Sequence, residues 1–190
     1  MKNYIENYIA DSINTKNNIY KDENLISIIN KSAEIIINSY KNNNKILIAG
    51  NGGSAADSQH IAAELVSKFC YERQALNAIA LTTNTSILTA VGNDFNHDYI
   101  FSRQVEAFGN SGDIFIAIST SGNSKNIIKA INQAKKQNLT VIGLTGINKC
   151  EMDSICDYLI KVPSDITSII QESHIMIGHI ICGIIEKSFV

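Results

Sequence analysis

Paired cysteines, basic runs, a long apolar stretch and a nucleotide-binding glycine signature are all missing from this chain, and each absence excludes something. The four cysteines (Cys70, Cys150, Cys156 and Cys182) form no CxxC pair. Neither a disulfide framework nor a cysteine zinc site is expected, and free thiols in a reducing compartment are. Lysine plus arginine number 16 against 18 acidic residues, a net charge of −2 with no basic cluster. That argues against a partner recognised through a nucleic-acid backbone or an anionic membrane. The opening MKNYIENYIADS is polar and amphipathic, without the apolar core of an export signal. The longest apolar stretch, Ile175 to Ile185, is interrupted by Gly178, His179 and Gly183 and is too short to span a bilayer. A soluble cytoplasmic protein is predicted. No linker or internal repeat divides the 190 residues, and the asparagine enrichment reads as compositional bias. One domain is expected, large enough to bury a full core.

What is present is an alternation of periods. Tyr4, Ile5, Tyr8, Ile9 and Ile13 recur at helical spacing, as do Leu25, Ile28, Ile29, Ala33, Ile36 and Tyr40. These two helices, within residues 1–43, precede any strand and must pack on each other, on the sheet or on a partner subunit. Short apolar runs follow at Lys45–Ala49, Asn77–Leu81, Ile114–Ile118, Thr140–Leu144 and Asp157–Val162, the last closed by the only proline, Pro163. Helical patterns separate them at about 55–69, 86–107 (broken near Gly92-Asn93-Asp94) and 125–137, and a final helix starts near Thr167. Buried strands alternating with amphipathic helices predict an α/β fold. Residues 44–190 form a doubly wound parallel sheet between helical layers, with ligands beyond the carboxyl ends of the strands.

Two loops at such ends suit a ligand. Ser119-Thr120-Ser121-Gly122-Asn123-Ser124 joins an apolar strand to a helix N-terminus, where unpaired amides and the helix dipole favour an anion. Three serine hydroxyls add neutral donors, and Gly122 allows close backbone approach. The guest that fits is a phosphate carried on a small molecule; the alternative is an ordinary turn with Ser124 as N-cap. Gly50-Asn51-Gly52-Gly53-Ser54 follows the first strand but has neither GxGxxG spacing nor a P-loop lysine, which disfavours dinucleotides and nucleoside triphosphates. It lines a sugar cleft, or it is simply a tight turn.

His60 and Glu64, four residues apart on the next helix, share a face. They are a divalent-metal or proton-transfer pair, or a solvated ion pair. Asp57 is the only acidic competitor on that face. On the last helix, His179 lies in an apolar run and is either buried core or functional. His174 and His97 are read as surface groups.

GNGGSAADSQHIAAE, ALTTNTSILTAVGND, ISTSGNS and IQESHIMIGHIIC, in this order, resemble the bacterial phosphoheptose isomerases. Those sugar isomerase (SIS) domain enzymes interconvert sedoheptulose 7-phosphate and D-glycero-D-manno-heptose 7-phosphate, an early step towards activated heptose for lipopolysaccharide or capsule. The resemblance runs from about Lys45 to Glu186 and extends to the two opening helices. It implies a three-layer αβα sandwich with a central parallel sheet. It assigns Ser119, Thr120, Ser121 and Ser124 to phosphate, and Asn51, Gly52, Gly53, Asn93 and Asp94 to the sugar. Glu64 falls at the catalytic carboxylate and His179 at the second acid–base group. His60, Glu64, Gln171 and His179 fall at the ligands of a zinc ion, one per subunit, and Gln171 also counts as substrate-binding. A homotetramer with sites shared between subunits is implied as well. Lys68, Asn84 and Ile169 depart from the arginine, aspartate and arginine common at those positions, which touches affinity rather than reaction.

Moving a carbonyl between two carbons requires taking a proton from the carbon beside it, stabilising the enediolate and returning a proton to the other carbon. One carboxylate and one histidine suffice, with zinc as an optional Lewis acid. Gln171 and His179 are eight residues apart, ~12 Å of helix rise, too far to share an ion from one straight helix. Either Gln171 sits in an irregular first turn or two subunits supply the ligands. The competing functions are an SIS isomerase for a different phosphosugar and a non-catalytic SIS scaffold, which would have no need of Glu64, His179 and Ser121 together.

Overall fold

The structure, a computed structural model, describes residues 1–190. Five strands form, β1 (Ile46–Gly50), β2 (Ala78–Ala80), β3 (Ile114–Ile118), β4 (Thr140–Thr145) and β5 (Tyr158–Lys161), and all pair in parallel in the order β2-β1-β3-β4-β5. β1 and β3 are buried along their whole length, as strands apolar on both faces must be. Eight helices surround the sheet: α1 (Lys2–Lys21), α2 (Glu23–Lys41), α3 (Gly53–Val66), α4 (Thr85–Asp94), α5 (Ser102–Phe108), α6 (Lys125–Lys136), α7 (Met152–Ile155) and α8 (Thr167–Lys187).

The two-residue alternation of a strand sorts its side chains into two cores. Ile46, Ile48, Ile114, Ile116 and Ile142 pack with Ile36, Ile61, Leu65, Ile177 and Ile181 of α2, α3 and α8. Leu47, Ala49, Phe115, Ala117 and Val141 pack with Val105, Ile127 and Ile131 of α5 and α6. The expected three layers are therefore present. Below the sheet's amino end, Lys45 Nζ lies 2.5 Å from Asp113 Oδ2, and the same carboxylate accepts the Lys45 and Asn110 amides.

Asp22 ends α1 and starts α2, its carboxylate accepting the Leu25 amide at 3.0 Å. α2 is a core element, with eight buried residues. α1 buries only Thr15 and Ile19, and Tyr4, Ile5, Ile9 and Ile13 stand exposed.

The break expected near Gly92-Asn93-Asp94 in the 86–107 helical region falls just after Asp94, where Phe95, Asn96 and a 3-10 turn at His97–Tyr99 separate two helices; Asn96 bends the chain at φ 152° and its side chain caps the turn. α7, between β4 and β5, carries too few residues to show a period. α8 is longer than its apolar run suggests: 21 residues, long and apolar enough to cross a membrane, but half of that window is buried within the fold. It packs against α2 and α3 as the central helix of its layer.

Candidate active site

β1 feeds α3 on one face of the sheet, whereas its neighbour β3 feeds α6 on the other. The two loops part at the carboxyl edge and leave a crevice, the place where open α/β sheets bind ligands.

The serine loop forms one wall. Gly122 has φ +65°, and a Cβ there would stand 2.3 Å from Cys150 Sγ and 2.8 Å from Thr145 Oγ1, so only glycine fits. Ser119 is buried, with its hydroxyl 3.0 Å from that of Ser124 and 3.5 Å from that of Ser121. Ser124 stands at the N-cap position of α6 yet makes no side-chain bond to the helix. Its hydroxyl belongs to the serine cluster, which removes the plain N-cap alternative and leaves first-turn amides for an anion. The Thr120 carbonyl accepts the Gly146 amide at 3.1 Å and the Thr145 hydroxyl at 3.4 Å, tying the loop to the end of β4.

His174 supports this wall from within. It is fully buried, not a surface group, and its Nε2 bonds the Thr145 carbonyl at 3.2 Å, while Nδ1 has no protein partner. Burial pushes its pKa down to about 4 against the opposing effect of the carbonyl bond, so the ring is neutral. The sequence places it three residues from Gln171 on a helix whose period could have been traced inward; the polar residue type masked the signal. His97 is exposed as expected, but its Nδ1 comes within 3.5 Å of Asn126 Nδ2.

Asn51 and the two glycines form the opposite wall. Asn51 exchanges two hydrogen bonds with Asn126, each 2.9 Å. A Cβ on Gly53 would meet the Gln171 amide at 2.7 Å, so Gln171 lies over the start of α3. Asn93 and Asp94 stand exposed at the end of α4, bonded to one another at 2.9 Å.

Two turns along α3 from Gly53, His60 and Glu64 meet His179 of α8. His60 Nε2 is 3.3 Å from Glu64 Oε1 and 2.9 Å from His179 Nε2, and the three ligand-capable atoms lie within 4.8 Å of one another. Gly178 makes the meeting possible: its Cα faces Ile61, whose Cδ1 would be 2.8 Å from a Cβ, so α3 and α8 approach closely. Two imidazole nitrogens at this separation either share one proton or both direct lone pairs at a cation. Two histidines and a carboxylate are also the donor set of an open zinc site, with Zn–N and Zn–O distances of about 2.0–2.2 Å, and these spacings fit. Gln171 is not in this cluster. It sits in regular helix beside Gly53, ~10 Å of helix rise from His60, so the irregular-turn explanation fails. Glu64 and His179 are brought together by one chain alone.

Asp57 is half-buried, with one carboxylate oxygen lacking a partner; burial raises its pKa to about 6, and His60 partly offsets this. Arg73 and Glu186 escaped the sequence reading. The Arg73 guanidinium donates to the carbonyls of Glu64, Leu65 and Gln74 at 2.8–2.9 Å, fixing the last turn of α3 that carries Glu64. Glu186, also buried, accepts the amides of Phe69, Cys70 and Tyr71 and lies 3.5 Å from Arg73 Nε. Burial acts to raise its pKa, but those three amides and Arg73 hold it below the usual carboxylate range. Of the three departures, Asn84 caps α4 through the Ile87 amide at 3.1 Å, Ile169 is buried, and Lys68 is exposed.

A doubly wound sheet with a serine-rich loop at its switch point is the SIS architecture. Residues 7–146 match the SIS domain family, and the chain belongs to it. It is 56% identical over 187 residues to phosphoheptose isomerase 2 of Campylobacter jejuni, covering 98% of this chain and 93% of that one. It is 55% identical over 188 residues to the phosphoheptose isomerase of Aneurinibacillus thermoaerophilus, covering 99% and 95%. The solved phosphoheptose isomerase from Francisella tularensis superposes with a TM-score of 0.94 at 37% identity, covering 97% of both chains.

Proposed function

We propose that this chain is a phosphoheptose isomerase, an aldose–ketose isomerase that converts sedoheptulose 7-phosphate to D-glycero-D-manno-heptose 7-phosphate. The observation that carries the reading is the convergence of His179 of α8 with His60 and Glu64 on the helix that leaves the phosphate-suited crevice, in a chain more than half identical to enzymes of that name.

The serine loop holds the phosphate through Ser119, Thr120, Ser121 and Ser124 and the first-turn amides of α6. Asn51, Gly52 and Gly53 face the sugar, joined by Asn93, Asp94 and Gln171. Glu64 removes the proton from C1, the carbon beside the ketose carbonyl. The electron pair moves to form the enediolate, and a proton is returned at C2 to give the aldose. His179, whose ring nitrogen shares the cluster with Glu64, exchanges protons with the substrate oxygens. His60, Glu64 and His179 are placed to hold one zinc ion per subunit, with Gln171 from a neighbouring subunit as a further ligand. Such an ion would polarise the substrate oxygens and lower the cost of the developing negative charge.

Residues 1–190 act as a single SIS unit, of which 1–43 serve packing and oligomerisation and 44–190 form the core. The apolar residues left exposed on α1 support a homotetramer with shared sites. The protein works in the cytoplasm and supplies heptose for lipopolysaccharide or capsule, binding neither nucleic acid nor membrane. Incubation of purified protein with sedoheptulose 7-phosphate, and in parallel with five- and six-carbon ketose phosphates, tests the assignment. Conversion of the heptulose with the highest kcat/KM is expected. A folded protein that prefers a shorter sugar would reassign the substrate.

A further inference from the structure

A single hydrogen-bonded bridge spans the crevice between the serine loop and the glycine loop, and no motif in the sequence pointed to it. Asn126 lies in the first turn of α6, directly after the serine loop, and is 3% exposed. Asn51 lies in the glycine loop, 75 residues earlier in the chain and on the path to the opposite layer. Asn51 Nδ2 donates to Asn126 Oδ1, and Asn126 Nδ2 donates to Asn51 Oδ1, both at 2.9 Å. The second N–H of Asn126 is directed at His97 Nδ1, 3.5 Å away.

With the buried Asn126 amide oriented as it stands, its Nδ2 towards His97, the reciprocal pair leaves Asn51 one arrangement. Turning either amide over would set oxygen against oxygen and nitrogen against nitrogen, losing both bonds and opposing the dipoles. Asn126 is buried and held on a helix, so the half-buried Asn51 is the member whose orientation is being chosen. After the exchange Asn51 retains one N–H and one oxygen lone pair, in fixed directions, for a ligand in the crevice. The partner that imposes this stands on the same helical turn as the phosphate-suited amides.

We propose that Asn126 is a positioning residue: it sets the direction in which Asn51 presents its remaining donor and acceptor to the sugar hydroxyls, and so keys the sugar wall to the phosphate wall. The proposal rests on the assignment of Asn51 to the sugar. Asn126 acts through Asn51 and needs no contact with substrate.

Removing the bridge alone separates this role from plain packing. Asn126→Ala should lower kcat/KM by about tenfold, the scale of one misdirected hydrogen bond. The inhibition constant for inorganic phosphate should stay within about twofold, because the serine hydroxyls and the α6 amides remain; a parallel rise in that constant would mean the variant has merely loosened the loop, and would overturn the proposal. In the Asn51→Ala background the same change should cost little further, since nothing is left to position. Full additivity, with Asn51→Ala itself impaired, would overturn the positioning role while leaving the sugar assignment standing. An Asn51→Ala enzyme with unchanged kcat/KM would instead overturn the sugar assignment, and the proposal with it. Should Asn126→Ala fail to fold, Asn126→Asp supplies the same cycle: it keeps the acceptor for Asn51 Nδ2 but sets an oxygen against Asn51 Oδ1, and should show a loss at least as large that again vanishes beside Asn51→Ala.

Discussion

Glu64 and Asp57 stand on one face of α3, and it is Glu64 that places an oxygen within 4.8 Å of a ring nitrogen of both His60 and His179. Glu64→Gln keeps the shape and removes the base, so turnover should fall by about 10² to 10⁴ while phosphosugar binding survives. Asp57 is the informative control, because its raised pKa near 6 would also suit a base at neutral pH. An active Glu64→Gln beside an inactive Asp57→Asn would move the role to Asp57. His174 provides a pH test of the same wall. Its folded pKa of about 4 lies below the ordinary 6.5, so on acidification the unfolded chain takes up the proton first. The stabilising effect of a neutral, buried ring is therefore complete above about pH 6.5 and is lost as pH falls towards 4, at full development on the order of 3 kcal/mol. Urea unfolding across that window should show a steeper loss in the wild type than in His174→Gln, and equal slopes would mean the ring is not the titrating group. Residue type misled the reading here. A histidine three places from Gln171 looked like surface, because one chain's sequence does not reveal that β4 ends beneath it.

At the scale of elements, the serine loop depends on Gly122 and on three hydroxyls clustered around Ser119. Ser121→Ala combined with Ser124→Ala should weaken substrate affinity and inorganic-phosphate inhibition in parallel; unchanged constants in both would make the loop only a turn. Most of this architecture was legible. Five apolar runs gave the strands to within two residues, since a buried strand must be apolar on both faces, and the loops at their ends followed. The Asn51–Asn126 bridge, the Arg73 clamp on α3 and the buried Glu186 were not legible. All three work through polar groups, which leave no period in a sequence, and the Asn51–Asn126 and Glu186 contacts join residues 75 and 115–117 apart. The break between α4 and α5 was legible near Gly92-Asn93-Asp94 but falls just after Asp94, because its position depends on backbone angles at Asn96.

For the whole molecule, the question is which residues cross between subunits. Glu64 and His179 belong to one chain's cluster, whereas Gln171 of that chain lies beside Gly53. Inactive Glu64→Gln and His179→Ala subunits should therefore fail to restore each other when mixed. Glu64→Gln and Gln171→Ala subunits should restore activity in mixed oligomers verified by native mass spectrometry, because some sites would pair an intact cluster with an intact Gln171. Recovery in the first mixture, or none in the second, would redraw the shared site.

The account stands on one reaction, proton transfer through an enediolate of sedoheptulose 7-phosphate. Proton NMR of that substrate with the wild-type enzyme in deuterium oxide reads it directly. The account predicts resonances of the aldose D-glycero-D-manno-heptose 7-phosphate, with solvent deuterium entering at C2 as the base exchanges its proton. A folded, phosphate-binding protein that formed no aldose, or formed it with the C1 protium transferred wholly to C2 and no solvent deuterium there, would contradict it.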